Sequence, residues 1–378
     1  MTTFTVFFCG TGSNQFDDTN ANYWNGELVS TLAQNTRSQS NEFANWIIID
    51  GPGSGNLQAD DMFTKPGGYY QLRGMAFGSG WEENVSHAVN MMKGNFTWQR
   101  EELSQENYNK LLNEGIPIEE VNTTGCWFWR TYKYGTRQTT PQQLQEQIIK
   151  IFRKDGVIPT QVNLVGWSRG GISCHMLANA MLKDNALSSV PVNIFAADPV
   201  PGALNFQDNR VKIGINVKEY VAFYARDERS LGFSSVVPEF DSGTRVHIYP
   251  IPGRHATLVG NAAPNGNSGA KVYPEPGQIV RHFAEVCLSR WGVPLEKKLN
   301  LTPAKINELL TKIKNDFSGY VAMRSTVYTT STQTAGERTI TKGSRDINFS
   351  AVRSTSYTPE EGLSIEHILT NDYFKDIN

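Results

Sequence analysis

The chain has 378 residues and a formal net charge of -2, with 35 Lys and Arg against 37 Asp and Glu. The charged fraction is 19%, whereas an average soluble domain has about 25%. This balance excludes a basic nucleic-acid binder and an acidic disordered chain. The length suits two to three domains, or one large α/β domain with insertions, and no apolar run approaches the roughly 20 residues of a membrane span.

The N-terminus and the cysteines indicate where the protein is made. The segment Met1 to Gly10 contains no Lys or Arg and resembles a strand, so we expect synthesis in the cytoplasm without a secretory signal. The four cysteines lie far apart and form no C-x-x-C pair, which predicts reduced, packed side chains and no metal cluster.

Short β-rich runs alternate with segments of helical periodicity along the chain. Alternation of this kind is typical of a mostly parallel sheet covered by helices. The strand candidates are Phe4 to Phe8, Trp46 to Ile49, Val162 to Val165, Val192 to Ala196, Tyr220 to Tyr224 and Val246 to Ile251. The helix candidates lie around or after Trp81, Pro141, Ile279 and Pro303.

Two stretches interrupt this alternation. Residues 93–139 contain the aromatic run Trp127 to Tyr134 and are interpreted as a lid-like insertion. The tail after Gly319 is rich in Ser and Thr, with short alternating pieces such as Val321 to Met323 and Thr339 to Thr341, and predicts a small β appendage. The sequence therefore indicates a main domain over residues 1–300 and a C-terminal region, 301–378, that combines a helix with the polar appendage.

The sharpest local motif is Gly166-Trp167-Ser168-Arg169-Gly170, which follows an apolar strand and precedes an apolar helix. Gly-x-Ser-x-Gly at this position matches a nucleophile elbow, a strained strand-to-helix turn that needs neighbours without Cβ so that the serine Oγ projects above the sheet. The pattern also arises by chance in a glycine-rich chain, so its place between strand and helix is the stronger argument. Ser168 is the candidate nucleophile.

A serine nucleophile requires a histidine that takes its proton. Three of the six histidines fall inside predicted helices, one lies within a strand and one in the tail. His255 differs, because it follows the strand Val246 to Ile251, and active sites of open α/β sheets form at the carboxyl ends of the strands. We therefore identify His255 as the candidate base.

The base in turn requires a carboxylate that orients the imidazole. Asp198 and Asp227 both end strands between the serine and the histidine, and spacing alone leaves both open as the acid. We expect the other aspartate to have a structural role, such as a pair with Arg226 or Arg229.

An oxyanion hole needs two N–H donors. Arg169 supplies the donor that follows the nucleophile. The second is expected from Thr11 in the glycine loop Cys9 to Gly12 after the first strand, with the loop Asp50 to Gly55 as its rival. Neither loop resembles a phosphate cradle, because no Gly-Lys-Ser/Thr follows and both lack the third glycine of the dinucleotide fingerprint.

Several segments, in order, resemble the α/β-hydrolase family that contains the type VI secretion phospholipase effectors and uncharacterised bacterial and fungal relatives. The resemblance runs from about Thr5 to His255. It is carried by Phe7 to Asn14, Asp50-Gly51-Pro52-Gly53, Gly78 to Asn84, Gly166 to Gly170, Asp198-Pro199-Val200, Asp227-Glu228-Arg229 and Pro252-Gly253-Arg254-His255. Cys9 stands where the family has aspartate, and Ala256 to Gly260 differs from the family's Ser-Asp-Val-Gly-Gly.

This resemblance implies an α/β-hydrolase fold and a serine esterase, a lipase or phospholipase, that needs no metal or cofactor. It implies that Asp198 is the acid. It also implies a secreted antibacterial toxin, exported by a type VI secretion system, with an immunity protein and a secretion carrier as partners. The residues alone leave open a small-ester or thioester hydrolase, and a non-catalytic binding domain that retains the fold.

The aromatic run has two interpretations. Trp127 and Trp129, with Arg130 and Lys133 beside them, suit the headgroup boundary of a membrane, which favours a lid or a peripheral membrane patch that contacts a phospholipid or long-chain ester. The alternative is a β-hairpin whose aromatic side chains pack on the core.

Overall fold

A computed structural model describes residues 2–37, 45–52, 81–93, 122–124, 131–133, 158–202, 205–263, 272–326, 332–334, 336, 338–342, 345–348, 374 and 377. The strands within these residues are β1 (Thr3–Phe8), β2 (Trp46–Ile49), β3 (Asn122–Thr124), β4 (Thr131–Lys133), β5 (Gln161–Trp167), β6 (Val192–Ala197), β7 (Val217–Ala225), β8 (Ser235–Val237), β9 (Arg245–Ile251), β10 (Thr339–Lys342) and β11 (Arg345–Asn348). The helices are α1 (Leu28–Arg37), α2 (Trp81–Lys93), α3 (Arg169–Lys183), α4 (Asp208–Val211), α5 (Glu275–Arg290), α6 (Pro303–Asn315) and α7 (Phe317–Ala322). Short 3-10 helices cover Asp17–Thr19, His255–Val259 and Met323–Ser325.

The central sheet has six parallel strands in the order β2, β1, β5, β6, β7, β9. Each strand predicted from the sequence lies within one of them, and the prediction of an α/β fold with a mostly parallel sheet flanked by helices is confirmed. The strand order reverses between β1 and β5, so the loop after β1 and the turn after β5 meet at the carboxyl edge of the sheet. Ligand sites of open α/β sheets form at such a point.

Burial on both faces explains why most side chains of these strands are apolar. Every residue of β6 is buried, as expected for a parallel strand covered on both sides. On β1, Phe7 packs in a layer with α1 and α5, and its neighbour Phe8 packs in the opposite layer with α2 and α3. Because successive side chains of a strand point to opposite faces, the sheet lies between two helical layers and its carboxyl edge remains available for function.

The C-terminal region after residue 300 packs onto this three-layer unit. In a second sheet, β10 runs parallel to β8 and antiparallel to β11. Phe374 lies against Phe283 of α5, with ring centroids 4.6 Å apart. The piece Val321 to Met323, expected to be extended, is helical instead, in a turn that buries Tyr320 against Tyr273 with ring centroids 4.9 Å apart.

Apart from Lys93 at the end of α2, the region interpreted as an insertion is described only at β3 and β4, which pair antiparallel. Trp127 and Trp129 lie outside the described residues, as does the helix expected after Pro141. Across the described ranges, no helix has both the length and the apolar character needed to cross a membrane.

Candidate active site

Ser168 forms the turn between β5 and α3 with a φ of 56° and a ψ of −128°. A non-glycine residue rarely adopts this conformation, and it persists only where the surrounding structure enforces it. The two glycines of the motif allow the close contacts that do so. A Cβ on Gly166 would collide with the carbonyl of Gly170, and a Cβ on Gly170 would collide with the carbonyl of Phe8 on β1. The motif therefore has the local geometry of a nucleophile elbow.

Asp198 and His255 lie side by side at the ends of β6 and β9. Nδ1 of His255 is 2.6 Å from Oδ2 of Asp198, and both side chains are buried. The imidazole lies between two aromatic rings, with centroids 5.1 Å from Trp167 and 5.1 Å from Phe233. The main-chain N–H of His255 donates to Oε2 of Glu228 at 3.2 Å. These contacts fix both the position of the ring and the nitrogen that faces the carboxylate.

The charge on Asp198 determines the tautomer of His255. Burial alone would raise the pKa of the Asp198 carboxyl, but the charge of Arg338 and the hydrogen bonds from His255 and Arg338 lower it below its ordinary value. Asp198 is therefore a carboxylate at neutral pH and can only accept hydrogen bonds. The proton of a neutral His255 consequently lies on Nδ1, and Nε2 carries the lone pair that a general base needs.

The same carboxylate accepts four further hydrogen bonds. Oδ1 accepts from Ala225 N at 3.1 Å, from Ser235 Oγ at 2.7 Å and from Arg338 Nη1 at 2.6 Å. Oδ2 accepts from Arg338 Nη2 at 2.8 Å in addition to His255. Sequence reasoning missed Ser235 and Arg338, because neither belongs to a local motif and Arg338 is 140 residues away along the chain.

The main chain of Ser168 is joined to the segment that contains Asp198. Ser168 N donates to Ala197 O at 3.1 Å, and Val200 N donates to Ser168 O at 3.1 Å. The serine and the Asp198–His255 pair therefore lie at one place on the sheet edge. Nε2 of His255 is buried and makes no hydrogen bond with the described residues, which leaves it available to a hydroxyl. Hydrogen bonds between nucleophile and base are often loose without substrate.

Asp227, the alternative acid, is bonded to arginines and to a main-chain N–H, and it has no hydrogen bond with the imidazole among the described residues. Its carboxylate pairs with Arg226 at 3.0 Å and with Arg324 at 2.7 Å. The expected pair with Arg226 is thus formed, whereas Arg229 donates to the carbonyl oxygens of Arg226 and Glu228 instead.

Thr11 and Arg169, the two candidate oxyanion donors, lie in segments that follow β1 and β5 at the carboxyl edge of the sheet. Thr11 lies in the loop after β1, and within the described residues its main-chain N–H donates no hydrogen bond. Its Oγ1 accepts from Arg169 Nη1 at 3.0 Å, so the side chain of Arg169 connects the two loops. Burial, and then the charge of Arg210, lower the pKa of the Arg169 guanidinium to about 10, which still leaves it cationic at neutral pH. The main-chain N–H of Arg169 belongs to the first turn of α3, where helix N–H groups lack helical partners.

His175 and the three described cysteines are buried and lie outside this site. His175 contacts Arg210 O at 2.8 Å and Tyr220 OH at 3.0 Å. Cys9, Cys174 and Cys287 are free and buried, and burial raises the pKa of each thiol. Over the described part of the chain, no group of three His, Cys, Asp or Glu side chains is arranged to hold a metal ion.

Comparison with known proteins gives distant structural similarity only. No protein-family model and no curated protein sequence matches the chain. An uncharacterized protein from Pseudomonas aeruginosa is similar at 15% identity with a TM-score of 0.43, over 85% of this chain and 51% of that one. The Tle1 effector bound to the VgrG spike of the type 6 secretion system is similar at 13% identity with a TM-score of 0.28, over 68% of this chain and 50% of that one. The chain thus spans about half the length of these solved proteins.

Proposed function

We propose that the chain is a serine hydrolase of the α/β-hydrolase fold that cleaves carboxylic esters. Ser168 is the nucleophile, His255 is the base and then the acid, and Asp198 orients the imidazole. The observation that carries this proposal is the 2.6 Å contact between His255 Nδ1 and Asp198 Oδ2, next to the strained turn of Ser168. A buried carboxylate, an imidazole with an open Nε2 and an elbow serine are the parts that acyl transfer through a covalent intermediate requires.

The reaction then follows in two halves. Nε2 of His255 takes the hydroxyl proton of Ser168 as Oγ attacks the ester carbonyl, and the resulting imidazolium is stabilised by the Asp198 carboxylate. The tetrahedral intermediate collapses when the alcohol leaves with that proton, and an acyl-Ser168 ester remains. Water attacks this ester as His255 takes one of its protons, and the carboxylic acid is released with the proton returned to Ser168.

The oxyanion of both tetrahedral intermediates needs donors above the sheet edge. The main-chain N–H groups of Thr11 and Arg169 are proposed for this role. The N-terminus of α3 adds to their effect, because the helix dipole favours negative charge there. Donors of this kind act strongly because they are already oriented before charge develops.

We propose lipid esters, phospholipids among them, as the substrate class. The family resemblance of the sequence supports this choice. Exposed apolar side chains support it further: Phe16 is 44% exposed in the segment after β1, and Leu231 is 63% exposed in the segment after β7. Both segments follow strands at the carboxyl edge, where an acyl chain would approach Ser168. The aromatic run with Trp127 and Trp129 is proposed as a lid or peripheral membrane contact of the same site.

The biological setting is proposed from the sequence resemblance. An antibacterial effector exported by a type VI secretion system would act on lipids of a target cell, and it would pair with an immunity protein in the producing cell and with a carrier of the secretion machine. Co-purification of the chain with a protein encoded by a neighbouring gene would test the pairing with an immunity protein directly.

A fluorophosphonate probe tests the hydrolase proposal, because it reacts with activated serines. We expect peptide mapping to place the adduct on Ser168 and Ser168→Ala to abolish it. Ser173 lies five residues further along α3 and donates to Arg169 O at 3.1 Å, so Ser173→Ala is the matched control and keeps the adduct. A native protein that is folded and never labelled would be a non-catalytic domain. A panel of phospholipids and neutral lipids, read by mass spectrometry, then identifies the ester.

A further inference from the structure

Arg338 directly precedes β10, and its buried guanidinium lies in the candidate active site. Its side chain is 3% exposed, and its two terminal nitrogens contact the two oxygens of Asp198 at 2.6 Å and 2.8 Å. Nη2 also donates to Phe233 O at 2.8 Å, and Nη1 also donates to Ala225 O. Nη1 and Nη2 are therefore each held by a main-chain carbonyl as well as by the carboxylate.

This contact fixes the orientation of the Asp198 carboxylate. Two parallel bonds between a guanidinium and a carboxylate define a common plane, which a single hydrogen bond or a lysine does not. Oδ1 is fully used by Arg338, Ser235 and Ala225, so Oδ2 is the oxygen left to face the imidazole. Arg338 thereby determines which oxygen meets His255 and at what angle.

A second arginine of the C-terminal region, Arg324, pairs with the other buried aspartate, Asp227. Arg324 Nε lies 2.7 Å from Oδ1 of Asp227, and among the described residues Asp227 has no hydrogen bond with the side chain of His255. Both pairs join the C-terminal region to a buried aspartate of the main domain. Because a buried ion pair is often no more stabilising than apolar residues of the same volume, anchoring alone does not account for a second arginine directed at the aspartate that holds the histidine.

We propose that Arg338 is a positioning residue of the hydrolase, acting through Asp198 on His255, and that the C-terminal region is therefore part of the catalytic unit. This role rests on the function proposed above. Arg338 keeps Asp198 ionised and oriented, and it also withdraws part of the negative charge that would stabilise the imidazolium. The charged and titratable groups around Arg338, Asp198 and His255 include Glu228, which accepts from His255 N, and Arg254, whose Nε is 3.7 Å from Glu228 Oε2. They also include Arg229 and Tyr224, which both interact electrostatically with Arg338.

The expected consequences differ from those of a purely structural arginine. Arg338→Met leaves Glu228 and Arg254 in place but frees the carboxylate to rotate, so we expect kcat on a short soluble ester to fall about 10- to 100-fold with little change in KM. Removal of a positive charge beside the imidazole favours its protonated form, so the acid limb of the pH–rate profile moves to higher pH. Arg338→Lys keeps the charge without the planar contact, so we expect a reduced kcat with the acid limb near its native position.

The experiment measures kcat, KM, the pH–rate profile and the rate of fluorophosphonate labelling for these variants, with Arg324→Met as the matched control. Arg324→Met lowers stability and keeps kcat and the acid limb close to native values. Since Arg338 acts through Asp198, adding Arg338→Met to Asp198→Asn causes no further loss of labelling rate. If Arg338→Met fails to fold, the same measurements on Arg338→Lys test the proposal.

Two outcomes overturn the proposal, and they are distinguishable. If native protein is labelled on Ser168 but folded Arg338→Lys and Arg338→Met keep native kcat and pH profiles, Arg338 has no positioning role and the hydrolase proposal stands. If native protein is never labelled and cleaves no ester, the hydrolase proposal fails and the role of Arg338 fails with it.

Discussion

Asp227 and Gly253 exchange two hydrogen bonds across the sheet edge: Asp227 N donates to Gly253 O at 2.9 Å, and Gly253 N donates to Asp227 Oδ2 at 3.0 Å. Gly253 lies two residues before His255 and has a φ of 126°, which favours glycine. Asp227 therefore shapes the loop that carries the imidazole, whereas Asp198 contacts the imidazole itself. The two buried aspartates have separable roles.

The first prediction compares these aspartates. Asp198→Asn removes the charge that selects the tautomer of His255, so we expect a loss of activity that approaches about 10⁴-fold. Asp227→Asn weakens the pairs with Arg226 and Arg324 and acts mainly on stability. Hydrolysis assays and urea unfolding of both variants check this ranking. The opposite order, with both proteins folded by circular dichroism, would move the acid to Asp227.

The second prediction concerns the nucleophile and the base. Ser168→Ala and His255→Ala each lower kcat by about 10⁴-fold or more, and the double variant loses little beyond either single one, because such residues act as a unit. Circular dichroism should show an intact fold. Native activity in purified Ser168→Ala, on an ester that the parent protein cleaves, would show that the nucleophile lies elsewhere.

A third prediction tests the packing that holds the elbow. Gly170→Ala places a methyl group against the carbonyl of Phe8, so we expect the free energy of unfolding to fall by about 1–3 kcal/mol and the activity to fall with it. Gly243→Ala is the control, since its Cβ meets only Asp241 Oδ1 at 3.7 Å. Equal urea midpoints for the two variants would contradict the close approach of β1 and α3.

The fourth prediction is a pH dependence of stability that comes from His175. Burial lowers its pKa from 6.5 to about 4, although the hydrogen bond with Arg210 O acts in the opposite direction. Below pH 6.5 the unfolded chain therefore binds a proton that the folded chain refuses, and stability falls as the pH drops towards 4. Between pH 7 and pH 5 this loss amounts to about 2 kcal/mol.

His175→Gln removes that contribution, so its unfolding free energy declines less than that of the parent protein over the same pH range. The comparison of two proteins at two pH values cancels other groups, such as Glu27, whose pKa is raised to about 7, chiefly by burial. Parallel pH curves for the two proteins would rule out a neutral, buried His175 as the cause.

The fifth prediction separates the two interpretations of the aromatic run. A lid or membrane patch makes activity on phospholipid vesicles depend on Trp127 and Trp129 and leaves activity on a short soluble ester nearly unchanged. Trp127→Ala and Trp129→Ala, assayed on both substrates, check this difference. Equal losses on the two substrates would identify the run as structural, and no cleavage of any phospholipid would contradict the proposed substrate class.

Local patterns explain which parts of the fold the sequence could predict. The strands of the central sheet each contain a short, mainly apolar run that ends near a glycine, a proline or a polar residue, so their positions could be predicted from the sequence. Ser168 was likewise expected between a strand and a helix, and β5 ends at Trp167 while α3 begins at Arg169. These features depend on neighbouring residues, which is the information that periodicity contains.

Long-range contacts explain the rest. Spacing alone left Asp198 and Asp227 equivalent, because each lies just after a strand. Only the tertiary structure determines which of the two carboxylates contacts His255, which is 57 residues from Asp198 in the sequence. Arg338 is one basic residue in a Ser- and Thr-rich tail and has no periodic signature at all. The helical turn at Val321 to Met323 was missed because the burial of Tyr320 outweighs a short alternating pattern.

The position of Arg338 after the other three site residues in the sequence has a consequence for biosynthesis. Ser168, Asp198 and His255 leave the ribosome before Arg338 does, and at about 5–20 residues per second the interval between His255 and Arg338 lasts about 4–17 s. Throughout that time Asp198 lacks the guanidinium that orients it, so a nascent chain cannot assemble the complete site. A lipid-cleaving enzyme built in this order would become active in the producing cell only after residue 338 has been synthesised and folded into place.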